Sequence, residues 1–285
     1  MYYILKYFLD NKGDKMSSVT GVIKTTKQPY GGYLRIKDFK VINMSDGIEL
    51  YDIQQEDIHA SLVGLAVDYL FRYCIGTDKA DAFAISLIGA GLLGNKHLKQ
   101  AIKLLKEIEL DNGYLTDKSI FNACKLVGYD VVYRVGALFF VETKYISPNN
   151  ETISNIRTMV NRCITFNKEY GEIIEQGMTF DGAYTNKIHI GDADFMTKDC
   201  LWDLKVSNQK PNKNHSLQLL IYYLLGINSV NSIKYKDINK IGIFNPRLNT
   251  LYTYNISDIS DEILIEVGKN VIGFNLDEAI LKFPK

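Results

Sequence analysis

Between residues 50 and 127 apolar side chains recur every three or four positions. Leu62, Leu65, Ala66, Tyr69, Leu70 and Tyr73 fall on one face of a helix from about 59 to 73, and similar spacing returns over about 80–92, 96–109 and 116–127. One buried face per element is what that period produces, so these residues predict a helical layer, punctuated at Gly94 and Asn112-Gly113. Ahead of it, Gln28-Pro-Tyr-Gly-Gly-Tyr33 signals a loop, flanked by alternating stretches such as 33–37 that predict short strands. Behind it, the apolar run 135–141 predicts a strand, and a long helix starts at Asn149-Asn150-Glu151, just past Pro148, and runs to about 176.

Past Gly177 the period becomes two. Residues 178–185, 188–195 and 201–206 predict three consecutive strands, with turns at Asn186-Lys187 and Thr197-Lys198-Asp199. A helix over about 216–225, stopped by Gly226, is followed by strands at 241–244 and 250–254 joined by a turn at Pro246, and by an amphipathic helix near 261–271. The order helix, three strands, helix, strand predicts an α/β fold, a mixed sheet flanked by helices over 149–285, preceded by a mainly helical region over 16–148. A more polar phase begins at Met16-Ser-Ser-Val19, so residues 1–15 read as a short N-terminal extension.

Composition narrows the field. With 285 residues, 46% of them hydrophobic, the chain can bury one large core or two modest ones. Its 33 basic and 33 acidic residues cancel, which excludes the global positive field of a histone-like binder; any affinity for nucleic acid must be local. Cys74, Cys124, Cys163 and Cys200 lie far apart with no Cys-x-x-Cys pair, which argues against a structural zinc site or a disulfide framework and for a reducing cytoplasm. The apolar stretch at residues 1–9 contains Lys6, is too short to span a bilayer and has no small-residue cleavage site, so neither export nor membrane association is expected.

The chemistry concentrates in Ile190-Gly-Asp-Ala-Asp194 and Leu201-Trp-Asp203-Leu-Lys205. Residues two apart in a strand share a face, so Asp203 and Lys205 project together, and a hairpin through 197–199 brings Asp194 beside them. Two carboxylates and an ammonium on a half-buried sheet are costly without compensation, and a divalent cation shared by the aspartates supplies it. Hard oxygen donors select Mg2+ or Mn2+. A cation there acidifies water and neutralises an attacked phosphate while Lys205 orients or deprotonates that water, which suits phosphodiester hydrolysis.

These residues resemble the PD-(D/E)XK nuclease superfamily, with Asp194 matching its first aspartate and Asp203-Leu-Lys205 its second motif. Gly191, three residues before Asp194, and Gln218-Leu-Leu-Ile-Tyr222 on the next helix are similar to the RecB-like exonuclease branch, whose Gln-x-x-x-Tyr pair shares one helix face. The resemblance covers roughly 150–256. It implies a restriction-endonuclease-like core, a deoxyribonuclease activity in repair, recombination or mobile-element conflict, and Gln218 and Tyr222 in contact with DNA. It also implies a further metal ligand from an upstream helix: a histidine, for which His59 is the candidate, or a glutamate, Glu172 or Glu175. RecB-like chains with an iron–sulfur cluster carry cysteines after the core; none follows Cys200, so no cluster is expected.

Other readings compete. Acid-x-Lys triplets also occur at Asp10-Asn-Lys12, Asp38-Phe-Lys40 and Glu142-Thr-Lys144; the last, with Asp130 upstream, is the competitor, although no Gln-x-x-x-Tyr helix follows it. Lys210 and Lys213, just before the motif-bearing helix, are placed to touch phosphate, and the basic stretch 24–40, with Tyr30 and Tyr33 interleaved, is either a nucleic-acid clamp or a solvated face. In place of an enzyme, the chain reads as a catalytically weak module that binds nucleic acid or protein, or as one whose helical region at 50–127 recruits a protein partner.

Overall fold

The computed structural model describes residues 17–275; the extension read at 1–15 lies outside them. The described strands are β1 (Lys40–Asn43), the short hairpin β2 (Leu110–Asp111) and β3 (Tyr114–Leu115), then β4 (Glu175–Thr179), β5 (Asp192–Met196), β6 (Cys200–Leu204), β7 (Lys240–Asn245) and β8 (Thr250–Asn255). The helices are α1 (Val19–Thr25), α2 (Ala60–Cys74), α3 (Lys79–Ala82), α4 (Ala84–Leu92), α5 (Asn95–Lys106), α6 (Asp117–Val127), α7 (Asp130–Arg134), α8 (Asn150–Glu169), α9 (Lys213–Asn228) and α10 (Asp261–Glu266). Six strands make one mixed sheet in the order β1-β8-β7-β6-β5-β4, in which β6 and β7 alone are parallel, joined by the crossover helix α9.

Each face of the sheet buries a different set of side chains. Phe195, Trp202 and Phe244 pack on Phe166 of α8, with ring centroids 5.6, 4.9 and 4.6 Å away. Met196, Leu201, Ile241 and Ile243 share the other core with α9. That helix is apolar around most of its circumference, because α1 covers its outer side with Val19 and Ile23. Helices α2, α6 and α8 pack together beyond the aromatic face, and α4 to α7 extend this layer.

Contacts cross the boundary expected at 148. β1 pairs with β8 at the sheet edge, and the loop between β1 and α2 is pinned to the β7–β8 turn by two nearly buried arginines. Arg162 donates to both oxygens of Asp46 at 2.7 and 2.9 Å and to the carbonyls of Ile48, Pro246 and Arg247; Arg247 pairs with Glu56 at 2.8 Å.

Several elements differ from the sequence reading. Residues 135–141 hold no strand: Ala137–Phe139 is a turn of 3-10 helix with Leu138 and Phe139 exposed, and the run pairs with no sheet edge. The stretch 33–37 is likewise not a strand; the chain becomes extended only at β1. Helix α8 ends at Glu169 because Gly171, at φ 117°, turns the chain, which frees the following residues to start β4 earlier than expected. Residues 180–191 loop between β4 and β5, and the burial of Phe180, Ala183 and Ile188 comes from that loop folding into the core. Gly226 sits inside α9: a Cβ there would lie 2.2 Å from the Tyr235 ring, so close packing and not helix termination calls for glycine.

Candidate active site

In the β5–β6 hairpin Phe195 faces Trp202 and Met196 faces Leu201. One step along that register Asp194 comes opposite Asp203, and facing residues of an antiparallel pair project to the same side. The backbone N–H of Leu204 donates to Asp194 Oδ2 at 2.6 Å, which fixes the first carboxylate at the end of β6. Lys205 Nζ lies 2.8 Å from Asp203 Oδ1 and 2.7 Å from Oδ2. Asp203 is buried, and its Oδ2 has this ionic contact but no well-angled hydrogen bond.

These three residues open into a cleft of about 620 Å3. Helix α9 contributes Gln218 and Tyr222, one turn apart, with Gln218 Nε2 donating to Tyr222 Oη at 2.7 Å. Helix α2 forms the facing wall with Asp68 and Arg72, and Arg134 of α7 and Asp192 of β5 stand at the rim. Gly177, opposite Asp194 in the β4–β5 register, has φ 58° and leaves room for the Arg72 guanidinium, whose Nη1 would lie 3.4 Å from a Cβ there.

The cleft is acidic. Asp68, Asp81, Asp192, Asp194 and Asp203 line it against Arg72, Arg134 and Lys205. Four of these charges are already paired: Arg72 donates to both oxygens of Asp68 at 2.8 and 2.9 Å, and Lys205 holds Asp203. Asp194 has only partial compensation. Burial, then the negative charge of Asp203, push its carboxyl up to about 8, with Lys205 and the Leu204 amide offsetting part of the rise. For Lys205 burial opposes the charge, but Asp203 and Asp194 outweigh it and hold the ammonium above its ordinary range. Burial also raises the Tyr222 phenol, helped by Asp203 and Asp194.

The candidate residues therefore divide. Asp194, Asp203, Lys205, Gln218 and Tyr222 line one cleft. Lys210 and Lys213 are exposed at the N-terminal approach to α9 and do not line it. His59 is the N-cap of α2, with Nδ1 accepting from the Ser61 amide at 3.2 Å, and it does not line the cleft either. The α2 carboxylate that does is Asp68. The sequence signal was available: Asp68 and Arg72 are the sole charged residues of α2, four apart on an otherwise apolar helix. Glu172 is exposed, and Glu175 pairs with Lys234 at 2.6 Å. In the competing triplet, Asp130 is buried in α7, Glu142 caps a 3-10 turn, and Lys144 lies over the Tyr145 ring, 4.9 Å from its centroid.

No family model, curated protein or solved structure matches the chain. No helix among the described residues is long and apolar enough to cross a membrane. Among them, no three His, Cys, Asp and Glu side chains are grouped closely enough to hold a metal ion. The carboxylates that could hold one are Asp194 and Asp203, opposite each other on β5 and β6. Their chemistry fits a hard divalent cation: both offer oxygen, they repel one another, and Asp194 carries a carboxyl that resists ionising until a positive charge is supplied.

Proposed function

We propose that this chain is a metal-dependent nuclease of the PD-(D/E)XK type, similar to RecB-like exonucleases, that hydrolyses phosphodiester bonds in DNA. The observation that carries the reading is the convergence of Asp194, Asp203, Lys205, Gln218 and Tyr222, drawn from two sequence motifs, on a single cleft. The strand and helix order around it, β4-β5-β6, then α9, then β7, agrees with the restriction-endonuclease-like core that the motifs imply.

Each side chain then has a role. Asp194 and Asp203 hold Mg2+ or Mn2+, which when bound supplies Lewis-acid stabilisation of charge on the phosphoryl oxygens and acidifies a nearby water. Lys205, held against Asp203 at the edge of the cleft, orients the nucleophile and steadies negative charge on the attacked phosphate. Gln218 and Tyr222, tied to each other, present amide and phenol groups to the substrate from a rigid helix.

Incubating purified protein with labelled single- and double-stranded DNA, in Mg2+, in Mn2+ and in excess EDTA, tests this. Cleavage that requires the metal is expected; full cleavage in EDTA, or none under any condition, contradicts it. A second reading, a DNA-binding module without hydrolysis, is favoured by one feature, the capture of both Asp68 oxygens by Arg72. It predicts binding in the same mixtures with no product.

A further inference from the structure

Helix α7 carries a buried carboxylate that the nuclease chemistry above does not use. Asp130 is 1% exposed, in the layer of α4 and α7. Ser86 of α4 donates to its Oδ1 at 2.5 Å and Tyr69 of α2 to its Oδ2 at 2.6 Å, so each oxygen already has a strong donor. Arg134, one turn along α7, adds only longer contacts: its Nε is 3.6 Å from Asp130 Oδ2, and its Nη2 donates to Tyr69 Oη at 3.3 Å.

The three cations of the cleft are therefore unlike one another. Arg72 is spent on Asp68 and Lys205 on Asp203. Arg134 lines the same cleft with a side chain 44% exposed; among the described residues its hydrogen-bond and ion-pair contacts are those two long ones, and the charge of Asp192 acts on it across the cleft. A planar fork of donors, anchored at its back by a buried anion and open at its front, is suited to bidentate recognition of a phosphate. The seat itself is tight: α7 begins against α4 where Gly89 meets the Tyr129 carbonyl, and a Cβ on Gly89 would lie 2.1 Å from that oxygen.

We infer that Arg134 is a substrate-binding residue of this cleft, a backbone-phosphate clamp held in place by the Asp130–Tyr69 pair. The inference rests on the nucleic-acid reading of the cleft. Arg134 comes from the helical layer preceding the motif-bearing strands, so it gives that layer a part in substrate binding.

The test is the salt dependence of DNA binding. Fluorescence anisotropy with a labelled oligonucleotide, single-stranded and duplex, is measured in Ca2+ over a series of KCl concentrations for wild type, R134Q, R134K and K144A. Every phosphate that is no longer neutralised takes about one unit off the slope of log affinity against log salt. R134Q should bind about tenfold more weakly at low salt with the slope lowered by about one. R134K keeps the charge and should retain the slope while losing part of the affinity, and K144A should match wild type. Wild-type affinity and slope in folded R134Q overturn the clamp. Should R134Q fail to fold, R134K decides: several-fold weaker binding at unchanged slope supports the clamp, and wild-type affinity overturns it. If wild type itself binds neither oligonucleotide, the nucleic-acid reading of the cleft has failed and the clamp falls with it, an outcome distinct from the others.

Discussion

Replacing Asp194 with asparagine should stabilise the metal-free protein while abolishing its proposed chemistry. Burial and the Asp203 charge lift the Asp194 carboxyl from 3.8 to about 8. An acid whose folded-state pKa is raised keeps its proton in the folded chain after the unfolded chain has released it. The resulting penalty is absent below the unfolded value, grows by about 1.4 kcal/mol per pH unit between the two values and levels off above the upper one. At pH 7 the interval spans about three units, a ceiling of about 4 kcal/mol; solvent relaxation at an open cleft brings the expected gain to about 1–3 kcal/mol. Asparagine keeps the shape and a carbonyl oxygen for the Leu204 amide, so the difference isolates the charge. Urea unfolding of both proteins in EDTA, from pH 5 to pH 8, should give a stability gap in favour of D194N that widens with pH. A gap that stays flat, or D194N the less stable protein at pH 8, would refute the reasoning, since Asp194 would then behave as an ordinary compensated carboxylate.

Three further outcomes follow from the same geometry. Below about 8 a divalent cation must displace the Asp194 proton, so apparent Mg2+ or Mn2+ affinity should rise with pH and flatten above that value; calorimetry in two buffers of different ionisation enthalpy should read about one proton released per ion near neutrality, and no release contradicts it. Arg162→Met removes the donor that holds Asp46 and the Ile48 carbonyl of the β1–α2 loop against two carbonyls of the β7–β8 turn and should cost about 3–5 kcal/mol in urea unfolding; a loss under about 1 kcal/mol would mean that water replaces the arginine. Gly242→Ala sets a Cβ 2.5 Å from the Trp202 ring across the β6–β7 pair and should destabilise by about 1–3 kcal/mol, with an unchanged melting temperature as the contrary result.

What the sequence made legible follows from how local each signal is. The β5–β6 hairpin and α9 could be read because alternation, a short turn and helical spacing are each encoded within a few residues; Asp194, Asp203, Gln218 and Tyr222 ride on them, and Lys205 directly follows β6. The far wall of the cleft depends on how α2 and α7 dock onto that frame, which no local pattern encodes. His59 stood out as a rare residue type, yet it caps α2, while Asp68 on the same helix faces the cleft. Arg134 was invisible for the same reason. The strand expected at 135–141 failed because β-branched and aromatic residues predict a strand only where a sheet edge is within reach, and this run has none.

The central claim is that chemistry occurs at Lys205 and its two aspartates, and cleavage of labelled DNA by Lys205→Ala and Lys144→Ala in Mg2+ or Mn2+ tests it most directly. Removing Lys205 leaves Asp203 buried without its cation, so the comparison is made well below the variant's unfolding midpoint, with the fold checked by circular dichroism. Folded K205A should cleave on the order of 10²-fold more slowly or worse, the loss typical of a positioned catalytic group, while K144A matches wild type. A folded K205A that cleaves at the wild-type rate, or an inactive K144A, would place the chemistry elsewhere in the protein.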